Sequence, residues 1–432
     1  MLQDPREHQS TPLPPLKEVV PALRPLRPAR SPRKSPAPQA AGRDAYFDNA
    51  KYLAIVLVAV GHTWPLVLSG SRATEALYML VYVFHMPAFV LISGYFSRNF
   101  DMRPHKLMRL VSSVAVPYVV FQTAYAVFFA VMEDGHALVR LVSPWFLMWF
   151  LMALFLWRLL TPLFLAIRWP LQISLLIAAA AAGTPDIGAS WSAQRVLQFL
   201  PFFVLGLRLR PEHFRLVQRW SVRRAAIPLF ALSLAFLYWV TPKVQLDWVY
   251  RSHAAQDMDQ PWWVGVLMTF AMFGAALVLT ACFLAWVPRR RMWFTALGAG
   301  TIGGYLLHGF VIKLAGYEGW VERFHLATPV GRIVVTVAAV AVVTVLCSPP
   351  VRRALKWVAE PDLRWLFRQT PGAGGGSGPA SGAAAGAGSG AGAPVRQGAE
   401  GARDAEGARD AEGARDAEGV SPGRAAGAPC RR

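Results

Sequence analysis

The sequence predicts an all-α, polytopic membrane protein with about ten transmembrane helices and both termini in the cytoplasm. Three observations carry that expectation. Apolar residues make up 54% of the chain against 16% charged, and mean hydropathy is +0.35. The apolar residues fall in repeated runs close to the twenty or so residues that a helix needs to cross a bilayer. Basic residues gather in every second loop, as the positive-inside rule requires of a chain that threads back and forth.

Residues 1–42 are rich in Pro, Arg and Ala and are expected to form a basic, disordered tail. Their polarity argues against a cleavable signal peptide, so the first apolar run is expected to stay in place as a span. The membrane domain is expected over 43–350. Its helices are predicted near 51–69, 74–96, 107–131, 145–165, 170–183, 196–209, 225–241, 262–287, 293–314 and 331–349. The fifth and sixth are short for a crossing and could be tilted or re-entrant. A basic juxtamembrane segment follows at 351–370. Residues 371–432 form a Gly/Ala-rich tail that repeats Gly-Ala-Arg-Asp-Ala-Glu from Gly401, Gly407 and Gly413, with too little apolar surface to pack.

The loops set the orientation. Arg98, Arg103, Lys106 and Arg109 follow the second helix. Arg158 and Arg168 are assigned to the loop after the fourth, a run from Arg208 to Arg224 follows the sixth, and Arg289, Arg290 and Arg291 follow the eighth. The alternate loops are sparser or mixed in sign. This puts an even number of spans between two cytoplasmic tails in the cell membrane. The net charge of +19 would suit nucleic acid, but its placement at the ends of apolar runs points to membrane lipids as the partner instead. Cys282, Cys347 and Cys430 are scattered and make neither a disulfide framework nor a metal site.

Two histidines stand inside the first two apolar runs, where an ionisable group is costly and usually faces a cavity or a partner. His62 lies eleven residues after Lys51, about three helical turns or 16 Å along the axis and within roughly 20° of the same face. Asp48 lies about 21 Å from His62, too far to orient its ring directly. His85 sits midway along the second helix, which runs antiparallel to the first, so the two imidazoles can meet. Pro65 and Pro87 follow them and free the Gly61 and Val83 carbonyls, which suits a polar cavity. A neutral imidazole there can take a proton from an attacking hydroxyl or accept an acyl group itself. The alternative is that each ring only bonds a neighbouring helix.

Lys106 and Arg109 are three apart and share a face at the start of the third helix, near Arg98. Such groups bind phosphate, although juxtamembrane cations commonly serve only to set topology. Asp48, Ser93, Tyr95, Trp145 and His308 are further candidates for lining the cavity. Ser93-Gly94 also suits close helix packing, and Trp145 suits an interfacial anchor. No phosphate-binding glycine loop, metal-spaced cluster or serine nucleophile elbow is present.

These residues resemble the acyltransferase 3 family of membrane O-acyltransferases, in particular its fucose 4-O-acetylase-like branch. The resemblance rests on Asp48-Asn49-Ala50-Lys51 with His62, and on Phe84-His85-Met86-Pro87 with Ser93-Gly94-Tyr95-Phe96. It extends to Lys106–Arg109 with Val116-Pro117-Tyr118, to Trp145-Phe146-Leu147 and to Tyr305-Leu306-Leu307-His308, spanning about 44–350. It implies about ten helices and transfer of an acyl group, often acetyl, from acyl-CoA to a hydroxyl of a carbohydrate or related acceptor. It implies catalysis by His62, a basic residue at Lys51 and donor binding by the Lys106 and Arg109 pair; beside these, His85 is expected to support His62 and Arg98 to lie near the donor phosphates. Lys51 and Lys106 replace arginines common in the family and lack the bidentate fork. No metal is implied. The rival expectation is a carrier or flippase for a lipid-linked sugar or another anionic solute, though the chain shows no repeated halves of the kind many transporters have.

Overall fold

Asp44 caps the first helix by accepting a hydrogen bond from the Tyr46 amide. The computed structural model describes residues 44–361 except 69, 186, 188–191 and 360. The tails expected at 1–42 and 371–432, and the end of the segment expected at 351–370, lie outside the described residues. In chain order the helices are α1 Ala45–Thr63, α2 Arg72–Ser97, α3 Pro104–Leu110, α4 Val116–Met132, α5 Trp149–Ala166, α6 Pro170–Ala182, α7 Ala193–Arg208 and α8 Pro211–Val217. They continue as α9 Trp220–Val240, α10 Asp247–Tyr250, α11 Trp262–Trp286, α12 Thr301–Tyr317, α13 Trp320–Arg323, α14 Pro329–Leu346, α15 Pro349–Ala354 and α16 Lys356–Ala359.

Each of the ten helices expected from the sequence has a counterpart, but only six are long and apolar enough to cross a membrane among the described residues. These are α2, the continuous unit of α3 and α4, α5, α9, α11 and α14. The other four are α1, α6, α7 and α12. Three of them have 13, 16 and 17 residues, and α1 carries Asp48, Asn49, Lys51 and His62 within its 19. α1 also begins six residues earlier than expected. Pro65 lies in the 3₁₀ turn Trp64–Leu66 that follows α1, so the helix stops at Thr63 where it is expected to run on to 69. Pro87 does sit within α2. The third helix contains a π turn at Val111–Ala115, just before Pro117. The ninth begins as a 3₁₀ turn at Thr295–Ala299 before α12.

α2 is the centre of the bundle: 78% of its most apolar window is buried, against 11% for α9. α9, α11 and α14 expose rows of large apolar side chains, including Leu232, Phe236, Leu267, Phe270, Ile333 and Val337. Such a surface belongs in lipid, and the protein is membrane-embedded. α2 meets α7 at Gly94 and Gly206. A Cβ on Gly94 would run into the Phe203 carbonyl, and one on Gly206 into the Leu91 carbonyl. The two backbones approach as closely as small residues allow. α1 is pinned along α14 by Tyr52 to Thr344 (2.7 Å) and by Trp64 Nε1 to Thr336 (2.9 Å). Its first turn is tied to the 288–295 segment, where Asn49 donates to the Pro288 and Arg290 carbonyls and accepts from Thr295. These bonds fix the depth at which the α1 C-terminus presents His62.

Gly206→Leu is expected to force α2 and α7 apart and to exceed the roughly 1–3 kcal/mol that overpacking normally costs. Ser93→Ala, which removes only a bond to the Phe89 carbonyl of the same helix, is expected to be near neutral. Thermal unfolding of the detergent-solubilised protein separates the two; equal melting temperatures would contradict the close approach.

Candidate functional site

Three helices converge on His62. It ends α1, His85 comes from the middle of α2, and His308 comes from the second turn of α12. His62 Nδ1 lies 3.1 Å from His308 Nε2, with the rings nearly parallel and their centroids 5.4 Å apart. The His85 ring stands at right angles to His62, 6.3 Å away. The two histidines singled out in the sequence therefore do meet. His308, expected only to line the cavity, bonds His62 directly.

The hydrogen bonds assign the tautomers. His308 Nδ1 faces two carbonyls, Gly304 at 2.8 Å and Tyr305 at 2.9 Å, and carbonyls only accept. In the neutral ring Nδ1 therefore carries the proton and Nε2 is an acceptor. His62 must then donate from Nδ1, which leaves His62 Nε2 with a free lone pair. His85 follows the same logic. Its Nδ1 donates to the Val81 carbonyl at 2.9 Å, so Nε2 is an acceptor, and this buried atom has no partner among the described residues. Among those residues no three His, Cys, Asp or Glu side chains converge as a metal site.

A cavity of about 240 Å³ opens beside His62 and His85. Its walls are largely aromatic, with Tyr78, Tyr82, Phe146, Trp149 and Tyr250, and Arg195 is its one cationic side chain. Tyr78 and Tyr250 share a 2.8 Å hydrogen bond. Phe146 packs 5.4 Å from the His62 ring with a left-handed backbone (φ 47°), a conformation that costs a non-glycine residue energy and occurs often at functional sites. Its segment is held from two sides. Buried Gln122 donates to the Arg140 and Ser143 carbonyls and accepts from the Trp145 amide. Tyr305 donates to the Leu147 carbonyl. The Tyr305–His308 stretch thus combines a strut for the Phe146–Leu147 wall with the partner of His62. Gly309 completes it, because a Cβ there would strike the Tyr125 hydroxyl.

The remaining residues singled out in the sequence lie away from this cavity. Lys51 is about 16 Å from His62 along α1, paired with Asp48 at 2.7 Å. Asp48 lines a second cavity of about 420 Å³ with Arg291, Thr295 and Arg352. Tyr95 stacks on Phe47 at 5.0 Å, and Arg98 lies over the Tyr95 ring at 4.1 Å. Lys106 pairs with Asp101 at 3.0 Å and holds that carboxyl below its usual range. Arg109 is exposed at the end of α3. Trp145 stacks on Phe129 at 4.7 Å outside the His62 cavity, where Trp149 takes the place expected of it. Ser93 bonds only its own helix.

Two arginines escaped the sequence reading. Arg158, expected in a loop, lies within α5, where Nε donates to Ser97 at 3.1 Å. Its place inside an apolar run was the available signal. Arg195 opens α7 from one of the loops that are otherwise poor in cations. A lone cation at the end that the charge pattern leaves sparse was the signal there.

Tyr305→Phe is expected to leave the Leu147 carbonyl with only the 3.3 Å bond from the Phe150 amide, costing about 0.5–1.5 kcal/mol, and to loosen the wall beside His62. A lower melting temperature together with reduced turnover checks this.

Residues 44–348 match the family model described as an acyltransferase domain, that of the acyltransferase 3 family. The nodulation protein NolL of Sinorhizobium fredii (strain NBRC 101917 / NGR234) is 27% identical over 359 residues, covering 77% of this chain and 92% of the relative. NolL of Mesorhizobium japonicum (strain LMG 29417 / CECT 9101 / MAFF 303099) is 25% identical over 328 residues, covering 70% and 85%. No solved structure matches the chain. With its helical membrane bundle, and with the family model spanning 44–348, the chain belongs to the acyltransferase 3 family and is a membrane acyltransferase.

Proposed function

We propose that this enzyme transfers an acyl group, in the first instance acetyl, from acyl-CoA to a hydroxyl of a carbohydrate or related acceptor. The observation that carries the reading is the free lone pair on His62 Nε2, left by a hydrogen-bond chain that ends on two backbone carbonyls. A base held in one tautomer beside an aromatic-walled cavity suits proton removal from a neutral hydroxyl. The acceptor hydroxyl donates to His62 Nε2 and its oxygen attacks the thioester carbonyl. The C–O bond forms, the C–S bond breaks, and the leaving thiolate recovers the proton from His62. His308 acts through His62 as a positioning residue. His85 Nε2 accepts a hydrogen bond from a second hydroxyl of the acceptor, which holds the first at His62.

The donor enters from the end of the bundle where α1 begins. Lys51, Arg98, Lys106 and Arg109 lie at that end, and Arg158 reinforces Arg109. Arg158 donates to Ser97 at the end of α2, one residue before Arg98, and so adds a guanidinium that suits a phosphate at that end. Lys51 and Lys106 are partly neutralised by Asp48 and Asp101 and contribute less. This end faces the cytoplasm, where acyl-CoA is found, with both tails on that side, the protein in the cell membrane and anionic lipid around the basic rim. The rival reading, a carrier for an anionic solute, has no need of an imidazole locked in one tautomer.

Purified protein in detergent, given acetyl-CoA and a panel of methyl glycosides, is expected to release free thiol and to yield an acetylated glycoside visible by mass spectrometry. His62→Ala is expected to lower kcat by about 10²–10⁴-fold, the range general-base catalysis contributes. Turnover by His62→Ala at the parent rate would falsify the assignment of the base. His308→Ala is expected to lower kcat with little change in the KM of either substrate. His85→Phe is expected to act chiefly on the KM of the glycoside. Comparing extracted glycans and lipids from deletion and parent cells then names the acceptor class.

A further inference from the structure

Arg195 has a position that packing alone does not explain. It lines the His62 cavity, and no Asp or Glu pairs with it among the described residues. Its guanidinium approaches the face of Trp149 at 5.9 Å from the ring centre, and its charge acts on His62, Tyr82 and Tyr250. It occupies the first turn of α7, where the helix dipole disfavours a cation, and that turn contains no acidic residue to offset it. A part-buried, uncompensated cation of this kind costs the folded protein stability. The other polar groups of the cavity, two imidazole acceptors and a set of phenols, give it no anion.

The reaction itself supplies one. Attack of a hydroxyl on a thioester carbonyl moves the C=O electron pair onto oxygen, within bonding distance of the carbon that the acceptor at His62 Nε2 attacks. The proton passes to His62, so a second positive charge arises in the cavity at the same moment. We propose that Arg195 is a catalytic residue that donates hydrogen bonds to this oxyanion, forming the electrophilic half of the site of which His62 is the basic half. When the tetrahedral intermediate collapses, the C=O bond reforms, the C–S bond breaks, the thiolate takes the proton from His62, and Arg195 returns to its unpaired state. A guanidinium suits the task because it stays charged and offers several donors in a fixed plane. The inference rests on the acyl-transfer reading above.

The test is thiol release from acetyl-CoA by full-length protein in detergent, with methyl glucoside or methyl glucuronide as acceptor. Arg195→Gln is expected to lower kcat about 10²–10³-fold, the usual loss of an oxyanion donor. The KM values for acetyl-CoA and methyl glucoside should stay within about twofold of the parent. Arg195→Ala, monodisperse and with a parent-like melting temperature, is expected to regain turnover when guanidinium is added, which a merely structural role would not allow. An unchanged kcat in Arg195→Gln overturns the assignment. So does a loss confined to the KM of methyl glucuronide, which would make Arg195 a site for an acceptor carboxylate. A parent protein that releases no thiol from acetyl-CoA with either acceptor, indistinguishable from His62→Ala, overturns the acyl-transfer reading and this inference together.

Discussion

A hydrogen bond between two neutral imidazoles has a direction, and the one between His62 and His308 imposes its direction on the whole cavity. The Gly304 and Tyr305 carbonyls accept from His308 Nδ1, so His308 can only accept from His62, and His62 can only present a lone pair. Two carbonyls on the first turn of α12 thereby determine the protonation pattern of an atom on α1. The coupling holds only while α1 and α12 keep their relative depth to a fraction of an ångström. The remainder of the bundle can be understood as the means of keeping it.

Several features serve that end. α14 grips α1 at two heights through Tyr52 and Trp64, eight residues apart on α14 and twelve on α1. Asn49 saturates three polar partners in the 288–295 segment, so sliding α1 along its axis would break three hydrogen bonds at once. α2 is locked against α7 by backbone contact at Gly94 and Gly206, which sets His85 on one side of the cavity and the start of α7, with Arg195, on another. The 133–148 segment, which has little helix of its own, is fastened by Gln122 and Tyr305 and closes the cavity with Phe146.

The division of charge between the two ends of the bundle has a physical logic of its own. At the α1 N-terminal end, cations are numerous and several are already matched by Asp48 and Asp101. Such cations steer an anionic substrate without binding it irreversibly. In the His62 cavity there is a single guanidinium with no carboxylate, and it is half-buried, so an electrostatic contact there is screened less than at the surface. Abundant, partly paired charge at one end and one unpaired cation in the cavity are thus two different electrostatic settings.

Much of this was legible in the sequence. The ten helices could be located, because apolar periodicity and Pro punctuation are local properties. His62 and His85 could be singled out, because an ionisable residue in an apolar run is conspicuous without knowledge of its neighbours. The depth of the His62–His85 meeting followed from helical rise and antiparallel threading. α1 starts six residues earlier than expected, since Tyr46 and Asn49 bond to 284–295 and Phe47 packs on Tyr95 and Phe214, all far along the chain. The helix expected to run to 69 stops before Pro65, where Trp64 bonds α14. The promotion of His308 from cavity lining to partner of His62, and the appearance of Arg195 and Trp149 at the site, depend on which helix faces meet. Spacing along the chain carries no information about that. The sequence alone determined that costly polar groups lie within apolar runs; only the tertiary structure decided which of them touch, because hydrogen-bond direction and charge compensation are properties of neighbours in space.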